Sequence, residues 1–178
     1  IEDRGIDEIY IDLTAAVAAR DADNAAAWTR ARDIARAIQA AVREAIGLSC
    51  SIGVTPNKLL SKIASDLEKP CGLTLLAAAD IPARIWPLPV RKLNGIGPKA
   101  DARLQALGIH SIGELAAADP ALLIAHFGRS YGAWMHEAAH GRDERPVVTR
   151  SEPKSVSRET TFERDLHPVR DRDTLSRI

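Results

Sequence analysis

The pattern of this chain changes once, near Leu88, and no single layer of secondary structure accommodates both parts. Before that point, runs of period two alternate with runs of period three to four. After it, as far as Gly141, short helical runs are separated by glycines and no strand pattern occurs. Residues 8–14 place Ile9, Ile11 and Leu13 on one face, which predicts a half-buried strand with acids on its other face. Asn24 predicts the cap of a long helix with Ala27, Trp28, Ala31, Ile34, Ile38, Ala41, Val42 and Ala45 inward, closed by Gly47. Residues 48–54 read as a short buried strand. Asn57 then caps a helix with Leu59, Leu60, Ile63, Ala64 and Leu67 inward, stopped by Pro70, and 73–76 read as a further strand. Helix starts follow at Asp80, Pro89, Pro98, Ser111 and Asp119, with Ser111 and Glu114 spaced as a capping box. The expected fold class is α+β: a mixed sheet with covering helices, followed by an all-α part. Residues 145–154 read as a polar linker, 155–162 as a strand, and Asp173 as the start of a helix.

Only 4% of the 178 residues are aromatic, so burial rests on aliphatic side chains and alanine, which favours helices. No apolar run approaches the roughly 18 residues of a membrane span, so no membrane partner is expected. Cys50 and Cys71 stand apart from any CxxC or His spacing and read as reduced thiols, which suits a cytoplasmic location. The chain opens on Ile1 without a basic and apolar leader, and both ends read as cut from a longer chain.

Lys and Arg together balance Asp and Glu at 24 each, but the balance is local in neither direction. Residues 1–50 carry a net −3 and residues 51–112 a net +4. An acidic head therefore precedes a basic middle, which chance also produces in segments of this size.

Four motifs carry chemistry. Asp7 and Glu8 open the first strand. Adjacent strand residues point to opposite faces, so both meet one ion only where the strand start is bent, as Gly5 permits. Their carboxylates either protect a sheet edge or hold Mg2+, which takes one or two carboxylates plus substrate phosphates. Lys58 and Lys62 lie four apart on one helix, and Lys69 follows at its end. Lys58 in a first turn opposes the helix dipole, which points to a nearby anion or to solvent. Gly95-Ile96-Gly97-Pro98-Lys99 is a Gly-x-Gly turn leading into a helix N-terminus, flanked by Arg91, Lys92 and Lys99; such a turn holds a phosphate through backbone N–H groups or simply joins packed helices. Phe127-Gly128-Arg129-Ser130 is a weaker second candidate. Finally, His136-Glu137-Ala138-Ala139-His140 spells HExxH, a zinc-hydrolase pattern, or else a helix that packs through Trp134 and Ala138.

Taken together, residues 5–12, 49–74, 88–99, the Leu107-Gly108-Ile109 turn and residues 141–147 resemble the Y-family translesion DNA polymerases, in one order across nearly the whole chain. The resemblance implies part of a polymerase palm over 1–88, a helix-hairpin-helix thumb over 89–141, and a linker with the start of a little finger over 142–178. It implies template-directed DNA synthesis past lesions on primer–template DNA with deoxynucleoside triphosphates, and contact with a sliding clamp through regions outside this chain. It maps Asp7 and Glu8 onto two carboxylates that hold two Mg2+ ions, Lys69 onto the lysine that contacts the triphosphate, and Gly95, Ile96, Gly97 and Lys99 onto the DNA-backbone grip. The family's first metal aspartate and its fingers lie before Ile1, so this chain alone is expected not to extend primers. Gly5 stands where the family usually has Ser. A polymerase relative that has lost catalysis and serves as a DNA-binding or recruiting subunit is the alternative, and a nucleotide cyclase is disfavoured by the glycine hairpin.

Overall fold

The computed structural model describes residues 1–17, 24–150, 157 and 160–176, in two compact units, Ile1–Val147 and Val148–Ile178. The first unit begins with a hairpin in which β1 (Glu2–Asp3) pairs antiparallel with β2 (Ile9–Tyr10), Glu2 opposite Tyr10. The predicted strand over 8–14 is therefore cut to two residues. Asp12 Oδ1 accepts from Thr14 N–H at 2.8 Å and starts α1 (Thr14–Val17), while Ile9 is half exposed where the alternation placed it inward.

The long predicted helix forms as α2 (Asn24–Ile46). It ends at Gly47, whose positive φ of 70° lets its N–H reach the Arg43 carbonyl. Its inward face is narrower than predicted: Ala31 and Ala35 are buried, whereas Ala41 and Ala45 are exposed. That face packs on β3 (Ile52–Val54) and β4 (Leu73–Leu75), which pair in parallel with Ile52 opposite Leu73. The crossover between them is α3 (Lys58–Leu67), capped by Asn57 and burying Leu59, Leu60, Ile63 and Ala64. Gly53 is needed here because a Cβ would stand 2.4 Å from the Ser61 carbonyl oxygen, so only glycine lets the strand approach α3 so closely. The strand predicted to begin at residue 48 shrinks to 52–54, with Leu48 left exposed.

The helix start predicted at Asp80 becomes a 3-10 turn (Ala78–Asp80) and a π turn (Ile81–Ile85), in which Trp86 N–H bonds the Ile81 carbonyl. A second 3-10 turn (Val90–Lys92) precedes α4 (Pro98–Ala106), α5 (Ile112–Ala117), α6 (Pro120–Phe127) and α7 (Arg129–Ala139). The Ser111 and Glu114 capping box forms as read: Ser111 Oγ accepts from Glu114 N–H at 3.2 Å and Glu114 Oε2 accepts from Ser111 N–H at 2.8 Å.

One core runs from Leu59, Leu60 and Ile63 through Leu76, Ile85 and Val90 to Leu104, Leu115, Leu123 and Met135. Each such fully buried side chain contributes about 1.5 to 3 kcal/mol of transfer free energy. The stretches on either side of Leu88 are further joined by Trp86 Nε1, which donates to the Ala139 carbonyl at 3.1 Å, and by Ile112 N–H, which donates to the Leu88 carbonyl at 2.9 Å. Residues 142–147, the start of the polar stretch, belong to this first unit.

In the second unit, Arg164 forks onto Asp171 at 2.6 and 3.0 Å ahead of α8 (Arg172–Leu175), which agrees with a helix near Asp173. The strand predicted over 155–162 falls largely outside the described residues; Ser157 and residues 160–162 are not in a strand.

Candidate active site

The turn between β1 and β2 carries the two acids. Gly5 adopts a φ of +98° and Arg4 N–H bonds the Glu8 carbonyl at 2.8 Å, so the chain bends where adjacent carboxylates require it. Asp7 is exposed and Glu8 half-buried. Glu8 is ion-paired with Lys62 on α3, which faces the hairpin. One turn earlier, Lys58 Nζ sits 2.7 Å from Glu2 Oε2 and 5.6 Å from the centre of the Tyr10 ring. The anion that a first-turn lysine calls for is thus the protein's own Glu2.

Lys69, beyond the end of α3, bonds Asp66 at 2.6 Å. That bond is the main reason its ammonium is held above the ordinary lysine range, and the carboxylates of Glu8 and Asp7 add to it. Burial pushes Asp66 up, but the bond from Lys69, with Lys62 and Lys92 nearby, outweighs it and leaves the carboxyl below its usual range. Asp7, Glu8 and Lys69 therefore share one electrostatic neighbourhood, although 61 residues separate Glu8 from Lys69. A cleft of about 300 Å3 beside it is lined by Lys62, Asp66, Arg91, Lys92 and Asn94, so it joins α3 to the 3-10 turn ahead of the glycine hairpin.

The donor chemistry of Asp7 and Glu8 fits a hard divalent cation: two carboxylates in an accessible bent turn, one of them already holding a cationic partner. Among the described residues, no group of three or more His, Cys, Asp or Glu side chains gathers into a metal cluster.

At the hairpin, Gly95 has a φ of +121°, and a Cβ there would meet Trp134 Cη2 at 2.5 Å. Trp134 stacks on Tyr131 with ring centres 5.4 Å apart, and Tyr131 Oη donates to the Gly95 carbonyl at 2.6 Å. An aromatic pair on α7 thus supports the turn from behind. Gly97 is different: it caps α4 with a φ of −81°, and a Cβ there would enter open space. Lys99 is exposed in the first turn of α4, whose leading N–H groups have no intrahelical acceptor. Ile96 faces inward, only 6% exposed, and its N–H bonds the Leu93 carbonyl at 3.0 Å, so its side chain is a core anchor and not a contact surface. The second candidate hairpin is a one-residue joint: Gly128, with a φ of +84°, links α6 to α7.

The HExxH segment does not form a metal centre. His140 Nδ1 bonds the His136 carbonyl at 2.8 Å, and Glu137 is held by Arg142 at 3.0 Å, a contact that draws its carboxyl below the usual range. Ala138, at 1% exposure, packs into the core as the alternative reading had it.

Sequence reasoning read Asn57 as the cap of α3 but missed the contacts from residues 141–145 that brace this site. Asn57 accepts from Leu60 N–H at 3.0 Å and donates to the Gly141 carbonyl at 2.8 Å, while Asp143 accepts from Leu59 N–H at 3.0 Å. Arg145 grips the same Asp143 at 2.7 and 3.0 Å. Residues 141–145 are thus a clasp on the N-terminus of α3. The motif was visible in sequence, but its partner lies 84 residues away.

A bent acidic hairpin over a βαβ unit, followed by a helix-hairpin-helix, defines a portion of a polymerase palm with its helical neighbour. The family models agree in order. Residues 1–66 match the impB/mucB/samB family and residues 78–109 the helix-hairpin-helix motif of the same family. The chain belongs to this family, that of the Y-family DNA polymerases. Three similar relatives are each named DNA polymerase IV. That of Moorella thermoacetica is 46% identical over 134 residues, covering 74% of this chain and 33% of the relative. That of Methanoculleus marisnigri is 42% identical over 165 residues, covering 93% and 43%. That of Caulobacter vibrioides is 40% identical over 171 residues, covering 96% and 40%. The chain spans less than half the length of these relatives. Among the described residues, no helix is long and apolar enough to cross a membrane.

Proposed function

We propose that this chain is the part of a lesion-bypassing DNA polymerase that joins a palm portion, residues 1–88, to a thumb, residues 89–141, with residues 142–178 leading into a little finger. The observation that carries the reading is the ion pair of Glu8 with Lys62, which lines a basic cleft together with Asp66, the partner of Lys69. Asp7 and Glu8 would hold Mg2+, whose two ions supply primer hydroxyl activation and charge neutralisation on the triphosphate. Lys62 balances Glu8 and keeps its carboxylate turned toward α3. Lys69, fully ionised and on an exposed segment, binds the triphosphate of the incoming deoxynucleotide. Gly95, Gly97 and Lys99 present backbone N–H groups and one ammonium to duplex phosphates, with Ile96 anchoring the turn from the core; such contacts position a duplex without reading its sequence. The third acidic ligand comes from a strand that this sequence does not contain, so the chain by itself extends no primer. A cytoplasmic location and a sliding-clamp contact made outside this chain belong to the same reading.

The test is primer extension by the longer polymerase that contains this chain. Asp7→Ala and Glu8→Ala should each abolish Mg2+-dependent nucleotide addition while duplex affinity is retained. Unchanged synthesis would overturn the assignment, and absent synthesis in the unsubstituted protein would favour a DNA-binding or recruiting subunit.

A further inference from the structure

A second cleft, of about 330 Å3, lies between α2 and the approaches to β3 and β4 and is lined by Gln39, Ala40, Arg43, Ser49, Cys50 and Cys71. Both cysteines of the chain open onto it. The parallel ladder runs from Ile52 opposite Leu73 to Val54 opposite Leu75, and the Ile52 N–H bonds the Gly72 carbonyl at 2.9 Å; Cys50 and Cys71 lie just before it on the two strands, Cys71 in a left-handed turn with a φ of +63°. Gln39 fixes this arrangement from α2: its Nε2 lies 2.9 Å from the Cys50 carbonyl oxygen and 3.2 Å from that of Cys71. One side-chain nitrogen that reaches both carbonyls holds the two backbones side by side, as a disulfide with its Cα separation of about 4.4 to 6.8 Å requires. Arg43 Nη2 stands 3.7 Å from Cys71 Sγ, which locates that sulfur at the cleft wall. Cys71 is exposed and Cys50 half-buried, so the two differ in access to a reagent.

We infer that Cys50 and Cys71 form a paired-thiol modification site that small disulfides such as oxidised glutathione convert to an intramolecular bridge. Cys71, as its thiolate, attacks one sulfur of the disulfide; a mixed disulfide forms and one thiolate leaves, taking up the proton Cys71 released. Cys50 then attacks the Cys71 sulfur, the protein bridge forms, and the second small thiol leaves with the proton from Cys50. Two cysteines are oxidised and one small disulfide is reduced to two thiols. Because Lys69 stands two residues before Cys71, the bridge ties the segment that carries this lysine to the approach to β3.

The experiment incubates the purified chain with oxidised glutathione and reads the intact mass, followed by peptide mapping after alkylation. The expected product is a monomer lighter by two hydrogens, with the Cys50 and Cys71 peptides linked and the mass restored by a reducing agent. In Cys50→Ser, glutathione should instead remain on Cys71. A wild-type chain that keeps glutathione, forms linked dimers, or does not react overturns the inference. None of these outcomes depends on polymerase activity.

Discussion

Lys58 Nζ lies 2.7 Å from Glu2 Oε2 and 3.0 Å from Glu2 Oε1, and both side chains are about one-tenth exposed. This pair fastens the acidic hairpin to α3, and so sets where Asp7 and Glu8 stand. Removing Glu2 leaves the Lys58 ammonium with little water to solvate it, which costs about 3 kcal/mol at the low end of the range for buried pairs, whereas removing Lys58 leaves Glu2 with Arg4 at 4.0 Å and should cost less. Lys58→Met and Glu2→Gln should each lower the urea midpoint accordingly. The double variant should lose less than the sum, which a double-mutant cycle reads directly.

The clasp at the start of α3 predicts a pH dependence. Burial pushes Asp143 up, but the bonds from Arg145 and from Leu59 N–H outweigh it and leave the carboxyl below its ordinary range. A carboxyl lowered on folding stabilises the protein above its unfolded pKa, and that contribution is lost as pH falls through the folded value. Thermal unfolding below about pH 4 should therefore fall more steeply in the wild type than in Asp143→Asn.

Asn57→Ala removes a cap and the bond to the Gly141 carbonyl together. A lost N-cap costs about 1 kcal/mol, and the second bond about as much again. The expected result is a midpoint shift of about 2 kcal/mol in chemical denaturation, larger than that of Ser111→Ala at the exposed capping box of α5.

Thr74, on β4, is 2% exposed and its Oγ1 meets no hydrogen-bond partner among the described residues. A buried hydroxyl without a partner costs about 1 to 3 kcal/mol. Thr74→Val keeps the shape and the β-branch and should raise the melting temperature by a few degrees in calorimetry.

The two hairpin glycines should separate fold from function. Gly95→Ala forces a side chain into a φ of +121° and against Trp134, so it should destabilise the unit by about 1 to 3 kcal/mol or more. Gly97→Ala enters open space and should leave the melting temperature nearly unchanged. If the hairpin grips duplex phosphates, Gly97→Ala should still weaken duplex binding in a filter or anisotropy assay, because the added methyl stands between backbone and phosphate.

Local hydrogen bonding explains what could be read in advance. Asn57 as the cap of α3, the box of Ser111 with Glu114, and the end of α2 at Gly47 each depend on partners within four residues, so the sequence by itself determined them. The Asp7, Glu8, Lys69 and glycine-hairpin positions were likewise legible as motifs. The tertiary structure alone decided which groups answer one another. Glu2 neutralises Lys58 across 56 residues, Asp143 caps α3 across 84, Tyr131 and Trp134 brace Gly95, and Ile96 turns into the core. It also decided against the longer first strand: the pairing of β1 with β2 ends at Tyr10, and Asp12 turns the chain into α1. Periodicity reports which side of an element is apolar, but the depth to which that side is buried depends on what packs against it, and that partner is chosen only when the whole chain closes on its core.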